Sequence, residues 1–442
     1  MDGLLAEGTR NLVNRNRYWY RQSWKSTGHP DEFTGMKCAI IGGGAAGFFS
    51  AVTLAQKNPD ADISIYDSSK QFLRKVKISG GGRCNVTHSC FEPKELAQYY
   101  PRGEKELKGA FFTWQPRDTR DWFQSHGVPL KTEQDGRIFP VSNHSQSIID
   151  CLHGQARKGG VKLYPGIGVK HLDFRNDQFV VEFSNGQSGI FDRVCMATGS
   201  MKSSTLRTSL EVLGHTIEPL APSLFAFDIT DERLKELAGI SLENVSVGVK
   251  SKGKRQAGPI LITHRGLSGP AILKLSAWEA RQLNELDYQF EIELNWLGER
   301  TESDLQTLFA RMRNQKGQQL VKTKLFEELP KRLWEKILSY VKIEGTLQWA
   351  QLPKKTEAHL IKELLSANFP VRGKTMNKEE FVTCGGVRLK EVNFKKMESR
   401  IIPHLYFCGE CLDYDGITGG FNFQGAWTTG YVAGTAMAEK QV

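Results

Sequence analysis

Residues 37–67 read KCAIIGGGAAGFFSAVTLAQKNPDADISIYD, and this stretch decides the fold. Lys37–Ile41 is a short apolar run that predicts a strand, Ala46–Lys57 has helical character, and Asp62–Asp67 predicts a second strand. The whole is a βαβ unit of about the expected ~30 residues. Between the first strand and the helix lies Gly42-Gly43-Gly44-Ala45-Ala46-Gly47, a G-x-G-x-x-G, and Asp67 closes the second strand 20 residues after Gly47. Each part has a physical task. Gly42 permits a tight turn, Gly44 lets the backbone approach a pyrophosphate, and Gly47 lets helix and sheet pack closely. The helix start offers unpaired N–H groups to phosphates, and the Asp67 carboxylate can accept hydrogen bonds from ribose hydroxyls, which disfavours a 2′-phosphate.

Working outward, Ser79-Gly80-Gly81-Gly82-Arg83-Cys84-Asn85 follows at once. Three consecutive glycines lose much conformational freedom on folding, so they imply a backbone task. They allow main-chain N–H groups to face an anion, with Arg83 adding charge. Near the other end of the chain, the apolar run Leu405–Cys408 leads into Gly409-Glu410, where an acidic side chain can bind the ribityl hydroxyls of a flavin. Thr418–Gln424 then predicts a glycine turn into a helix from about Asn422. Ala426, Gly430 and Gly434 recur at four-residue spacing on one face, which suits close packing on the sheet. The start of this helix is expected to point at the flavin N1–C2=O edge, where reduction builds negative charge.

Between these ends, Gln178–Ser184 and Phe191–Met196 flank Asn185-Gly186 and predict a β-hairpin. Residues 223–296 carry alternating β-type runs: Leu224–Ile229, Val245–Val249, Ile260–Ile262 and Tyr288–Leu294. Residues 302–366 predict helices at Leu305–Met312, Leu325–Glu328, Leu333–Val341 and Glu357–Ala367. The expected architecture is α/β, a discontinuous Rossmann-like FAD-binding domain (36–199 and 368–442) with an inserted β-rich domain (200–297) and a helical subdomain (298–367). Residues 1–35, rich in Arg, Asn, Trp and Tyr without periodicity, are expected to form a peripheral or flexible extension.

The ordered motifs IIGGGAAG (40–47), KISGGGRCNVT (77–87), DGRIFP (135–140), THRGLSGPAIL (263–273), TCGGV (383–387) and GECLDYDGITGGFNFQ (409–424) give the chain its resemblance to a known family. It resembles the YhiN/BaiN-type bacterial flavoproteins, a three-domain FAD family that includes proteins described as aminoacetone oxidases, over almost everything from Met36 onward. The resemblance implies FAD contacts in the first glycine loop at Gly42, Gly44, Ala45, Ala46 and Gly47, with Asp67 on the adenosine ribose. In the second loop it implies Gly80, Gly81, Gly82, Arg83, Cys84 and Asn85. Thr198 and Gly199 close a further strand, and Val169 is placed for a backbone contact to adenine. The C-terminal contacts it implies are Gly409, Glu410, Asp413, Gly419, Gly420, Asn422 and Gln424. Two departures stand out: Ala197-Thr198-Gly199 continues as Ser200-Met201-Lys202 rather than a second glycine, and Cys408 and Cys411 stand where the family tends to be apolar.

The activity implied is that of an FAD-dependent oxidoreductase acting on a small organic substrate. The flavin would be reduced by NAD(P)H as a transient visitor or by an amine or alcohol; no second strand-linked G-x-G-x-x-G supplies a nicotinamide domain. Thr263 and His264, within a family motif, and Tyr414 with Asp415, beside the expected flavin edge, are the candidates for catalysis. The formal charge of +10 over 442 residues leaves two other classes open: an FAD-dependent RNA-modifying or RNA-binding protein, and a non-catalytic flavin sensor. The basic clusters are dispersed and not interleaved with aromatics, so the expectation is a solvated face without a nucleic-acid partner. The eight scattered cysteines are expected to be free thiols, Cys408-Gly-Glu-Cys411 included, and no metal site is expected. No run of 18 or more apolar residues predicts a membrane span, and the expected location is the cytoplasm.

Overall fold

A seven-stranded sheet is assembled from both ends of the chain. In the computed structural model its order is Val392–Asn393, Glu398–Ser399, Leu405–Phe407, Arg193–Met196, Lys37–Ile41, Asp62–Asp67, Lys162–Pro165. Neighbours from Leu405–Phe407 to Lys162–Pro165 are parallel, and the two short strands beyond Leu405–Phe407 pair antiparallel. Lys37–Ile41 is the hub, with Ala39 opposite Ser64 on one side and Val194 on the other. The structure describes residues 35–250, 254–375 and 382–439. The expected N-terminal extension therefore lies outside the described residues, Gly35 excepted.

Two glycines of the fingerprint explain why the crossover closes where it does. Gly42 has φ +117°, and a Cβ there would lie 2.2 Å from the Ala197 carbonyl oxygen. A Cβ at Gly47 would lie 2.0 Å from the Gly42 carbonyl oxygen. The helix Ala45–Lys57 thus abuts its own turn and the next strand, as close helix–sheet packing requires. The C-terminal helix Phe421–Met437 packs on this first helix rather than directly on the sheet. A Cβ at Gly430 would meet Ala46 O at 2.7 Å, and one at Gly434 would meet Ser50 O at 2.4 Å. The small-residue face is real, and its partner is a helix backbone.

Two local expectations need correction. The hairpin across Asn185-Gly186 pairs Gln178–Phe183 with Ser188–Phe191, and Val169–Arg175 joins as a third strand. Arg193–Met196 is not the hairpin's second arm but a strand of the main sheet, buried at all four residues. Near-continuous burial is what a parallel strand covered on both faces shows, and alternation cannot reveal it. Leu325–Glu328 is irregular, entering a turn at Glu327, and not a helix. Its apolar residues reflect burial of Phe326 beside Leu329-Pro330, where the proline disfavours helical backbone before it.

The insertion has an antiparallel sheet of its own, ordered Ala367–Val371, Phe290–Asn295, Ser241–Val249, Gln256–Thr263, Gly266–Ser268, Ala226–Asp228, Gly373–Thr375. Ala367–Val371 and Gly373–Thr375 belong to it by hydrogen bonding, so the sheet extends past the division drawn at 367/368. Helices Glu302–Gln315, Lys331–Tyr340 and Lys354–Leu365 share one apolar core with this sheet, centred on Trp296, Phe309, Trp334 and Trp349. The chain leaves the first sheet through Ile217–Ser223 and returns through Val382–Val387, which pair antiparallel as a two-stranded ribbon. Among the described residues, no helix is long and apolar enough to cross a membrane.

Candidate functional site

A cavity of about 490 Å³ opens at the ends of the parallel strands, within the size range of cofactor sites. Its wall joins segments far apart in sequence: Gly44–Ala46, Asp67, Gly80, Asn85, Thr198, Gly199, Gly409, Glu410, Gly419, Gly420 and Asn422, together with Tyr414. Crevices outside the carboxyl ends of parallel strands are where α/β sheets bind ligands.

At one end, Gly44 has extended backbone (φ −89°, ψ −170°), and a Cβ there would meet nothing within 4 Å. The turn is open to a close-approaching ligand at the residue assigned to the pyrophosphate. Asp67 Oδ2 accepts a hydrogen bond from Gly43 N–H at 2.7 Å, and Oδ1 one from Ser69 N–H at 2.7 Å. The carboxylate is thereby oriented at the cavity wall, with lone pairs to spare for ribose hydroxyls. At the other end, Asn85 Oδ1 is buried without a hydrogen-bond partner on a residue that lines the cavity. A buried acceptor without a partner is costly, and a cofactor donor in the cavity would satisfy it. An open glycine turn, an oriented carboxylate and a buried vacant acceptor fit FAD.

Between the ends, Glu410 is held twice. It forms an ion pair with Lys75, and its Oε1 accepts from Thr383 N–H at 3.0 Å. Because Thr383 belongs to the ribbon, one carboxylate ties the cavity wall to the return of the chain from the insertion. Tyr414 is buried, with its hydroxyl 3.5 Å from Thr429 Oγ1, and burial pushes its phenol well above the usual range. It stays protonated.

Several assigned residues stand elsewhere. Gly42 and Gly47 shape the turn from behind and do not line the cavity. Gly81 and Gly82 have left-handed backbone (φ +67° and +82°), with open space where a Cβ would stand, yet lie outside the cavity wall. Arg83 turns away: its Nη1 is 2.6 Å from Glu133 Oε1 and its guanidinium lies 3.9 Å over the Phe139 ring. Cys84 is wholly buried, and burial pushes its thiol up to about 12. Val169 is buried where its strand begins, outside the wall. Asp413 is bound by Arg281 at 2.6 Å and by Gly385 N–H at 3.0 Å. Gln424 is buried outside the cavity wall, accepting from Thr87 Oγ1 at 2.6 Å and donating to Thr428 Oγ1 at 3.0 Å, so both polar atoms of its side chain are engaged within the protein. Asn422 lines the cavity, with its amide oriented by Gly416, accepting at 2.8 Å and donating at 2.7 Å.

The catalytic candidates separate in the same way. Thr263 and His264 form the turn between two strands of the inserted sheet, with Thr263 Oγ1 donating to Gly266 O at 3.2 Å and His264 exposed. Neither lines the cavity. Asp415 is buried, paired with Arg102 and accepting from Ser223 Oγ at 2.7 Å, which makes it a tie between the first sheet and the ribbon. Of these candidates only Tyr414 reaches the cavity. Cys408 and Cys411 are buried with their thiols pushed up, and Cys408 Sγ lies 3.4 Å from Cys195 Sγ. Among the described residues no cluster of metal-ligating side chains occurs.

Sequence reasoning missed other parts of the wall: Arg74, Lys75, Arg137, Phe139, Leu224 and Val382. Arg137 and Phe139 sit in the DGRIFP motif, and the lysine–arginine pair abuts the second glycine loop, so both had a sequence signal. Leu224 and Val382 stand at the ribbon's ends and had none.

Fold and site together define an FAD-dependent oxidoreductase with a Rossmann-like nucleotide-binding core. The chain belongs to the HI0933-like family, whose Rossmann-domain model matches residues 36–436. It is 27% identical to the 3-dehydro-bile acid delta(4,6)-reductase of Clostridium scindens, over 91% of this chain and 99% of that one. It is 30% identical to the ribosomal RNA dihydrouridine synthase of Escherichia coli, over 89% and 95% of the two chains. The corresponding figures for the ribosomal RNA dihydrouridine synthase of Haemophilus influenzae are 28%, 91% and 98%.

Proposed function

We propose that this protein reduces a carbon–carbon double bond conjugated to a carbonyl. FAD held in the cavity and reduced would supply the hydride for the β-carbon, and the α-carbon would take up a proton. The observation that carries the reading is the cavity at the ends of the parallel strands, whose open glycine turn, oriented Asp67 carboxylate and unpartnered Asn85 Oδ1 suit FAD. Tyr414 also lines that wall, but its hydroxyl is turned to Gly425 and Thr429 of the C-terminal helix, so the proton is not assigned to it. The names of the relatives agree with this chemistry: a 3-oxo-steroid Δ4,6 system and the C5=C6 bond of uracil are both double bonds in conjugation with a carbonyl. A visiting NADH or NADPH is the reductant that the reading takes.

Two substrate sources share the chemistry. A uracil within RNA is suggested by the names of the relatives from E. coli and H. influenzae, and a steroid enone by that of the relative from C. scindens. The test reduces the holoenzyme anaerobically with NADH or NADPH and mixes it with 2-cyclohexenone, with a 4,6-dien-3-oxo steroid, or with unmodified ribosomal RNA transcript. Flavin reoxidation with formation of the saturated ketone, or of dihydrouridine detected by mass spectrometry, is the expected result and names the source. Reoxidation by oxygen alone, with every acceptor inert, overturns the reading.

A further inference from the structure

The cavity wall carries three cations, Arg74, Lys75 and Arg137, and their surroundings differ. Lys75 is engaged with Glu410. Arg137 lies 2.6 Å from Asp135 and 3.5 Å from Glu133. Arg74 is exposed and has no ion pair or hydrogen bond through its guanidinium among the described residues. It is the wall's one cation whose charge is not already met by a carboxylate of the chain.

Its location is set by the backbone. Leu73, buried and in the left-handed conformation (φ 57°), donates its N–H to Gly43 O at 2.9 Å. Gly43 N–H in turn donates to Asp67. Arg74 therefore follows directly on a residue fastened to the glycine turn, and it lines the same cavity as Gly44. Arg83, which the sequence offers as the anion's cation, is withdrawn by Glu133 and held against Phe139.

We propose that Arg74 binds the pyrophosphate of the dinucleotide, taking the part that the G-G-G-R motif suggests for Arg83. The inference rests on the FAD reading of the cavity and not on the substrate. An arginine can place two parallel N–H donors on phosphate oxygens, and the contact is charge-assisted. The other two cations of the wall are already engaged by carboxylates.

The experiment titrates apoprotein with FAD, following quenching of flavin fluorescence at low and high salt, for wild type, Arg74→Met, Arg74→Lys and Arg83→Met. Arg74→Met is expected to weaken FAD binding about 10- to 100-fold, equivalent to about 1.4–2.7 kcal/mol. Its affinity should also depend less steeply on salt, because one ionic contact is gone. Arg74→Lys should recover part of the loss, keeping charge without the two-pronged geometry. Arg83→Met should leave FAD affinity within about twofold, a change of under ~0.5 kcal/mol. Displacement probes localise the effect: Arg74→Met should weaken ADP and leave adenosine unchanged. Wild-type affinity in Arg74→Met, or a larger FAD loss in Arg83→Met at unchanged melting temperature, overturns the assignment. Wild-type protein that binds no FAD overturns the cofactor reading itself, and this inference with it.

Discussion

Replacing Gly44 by valine separates cofactor binding from folding. The backbone at Gly44 is extended (φ −89°, ψ −170°), which a valine adopts readily, and a Cβ there meets nothing within 4 Å. Gly44 is the N-cap of the first helix and makes no side-chain cap, so little capping energy is at stake. The restricted chain even gains about 0.4–1 kcal/mol relative to glycine through its unfolded state. The apoprotein should therefore melt within a few degrees of wild type, the range that about 1 kcal/mol covers in a domain of this kind. Bound FAD would meet the new side chain where its pyrophosphate approaches the turn. Loss of two charge-assisted N–H contacts at about 1.5–3 kcal/mol each amounts to about 3–6 kcal/mol. That corresponds to roughly 10²- to 10⁴-fold weaker binding. The assay quantifies FAD released on denaturation of purified protein, then repeats the measurement after reconstitution, with melting curves in parallel. Gly42→Val and Gly47→Val are the contrast. Their Cβ atoms would lie 2.2 and 2.0 Å from backbone oxygens, so these chains should misfold. A folded Gly44→Val protein with wild-type FAD content would refute the placement of the pyrophosphate.

Asn85→Ala should weaken FAD binding or shift the flavin potential at nearly unchanged melting temperature, because Asn85 Oδ1 has no partner within the protein to lose; a reductive titration with occupancy measured alongside checks it. Gly420→Leu is a poorer probe of the same end, since a Cβ there would lie 2.7 Å from the Thr87 backbone at φ +95°, and lowered stability is expected before any flavin effect. His215 is buried between Glu391 (3.2 Å) and Ser399 (2.9 Å), and burial, outweighing Glu391, lowers its pKa below 6.5. The unfolded chain then binds the proton more readily, so stability is fully present above pH 6.5 and is lost as pH falls toward the lowered folded value. Melting temperature should drop over that interval, and a His215→Gln variant should show a shallower slope; equal slopes would remove His215 as the cause. Cys408 and Cys411 should resist a thiol reagent until the protein unfolds, with rapid labelling of the native state as the contrary result, since buried thiols with raised pKa supply little thiolate.

The nucleotide-binding core was legible because its information is local. A strand, a glycine turn that needs positive φ at Gly42, a helix and a terminal aspartate occupy some thirty consecutive residues, and each follows from short-range sterics and periodicity. The C-terminal segment was legible for the same reason, down to the small-residue face of its helix. The direction of charged and polar side chains was not local information. Arg83 and Arg74 are both arginines beside a glycine loop, and Glu133, 50 residues on, captures the first while a hydrogen bond to Gly43 leaves the second at the cavity. Gln424 turns inward because Thr87, 337 residues away, donates to it. Thr263 and His264 share a motif with a family but stand on the inserted sheet, away from the wall. Backbone conformation and burial pattern are thus written along the chain. Which charge stays free to meet a ligand is decided only when distant carboxylates and carbonyls compete for it, because an ion pair or a hydrogen bond is settled by separation in space, which sequence distance does not measure.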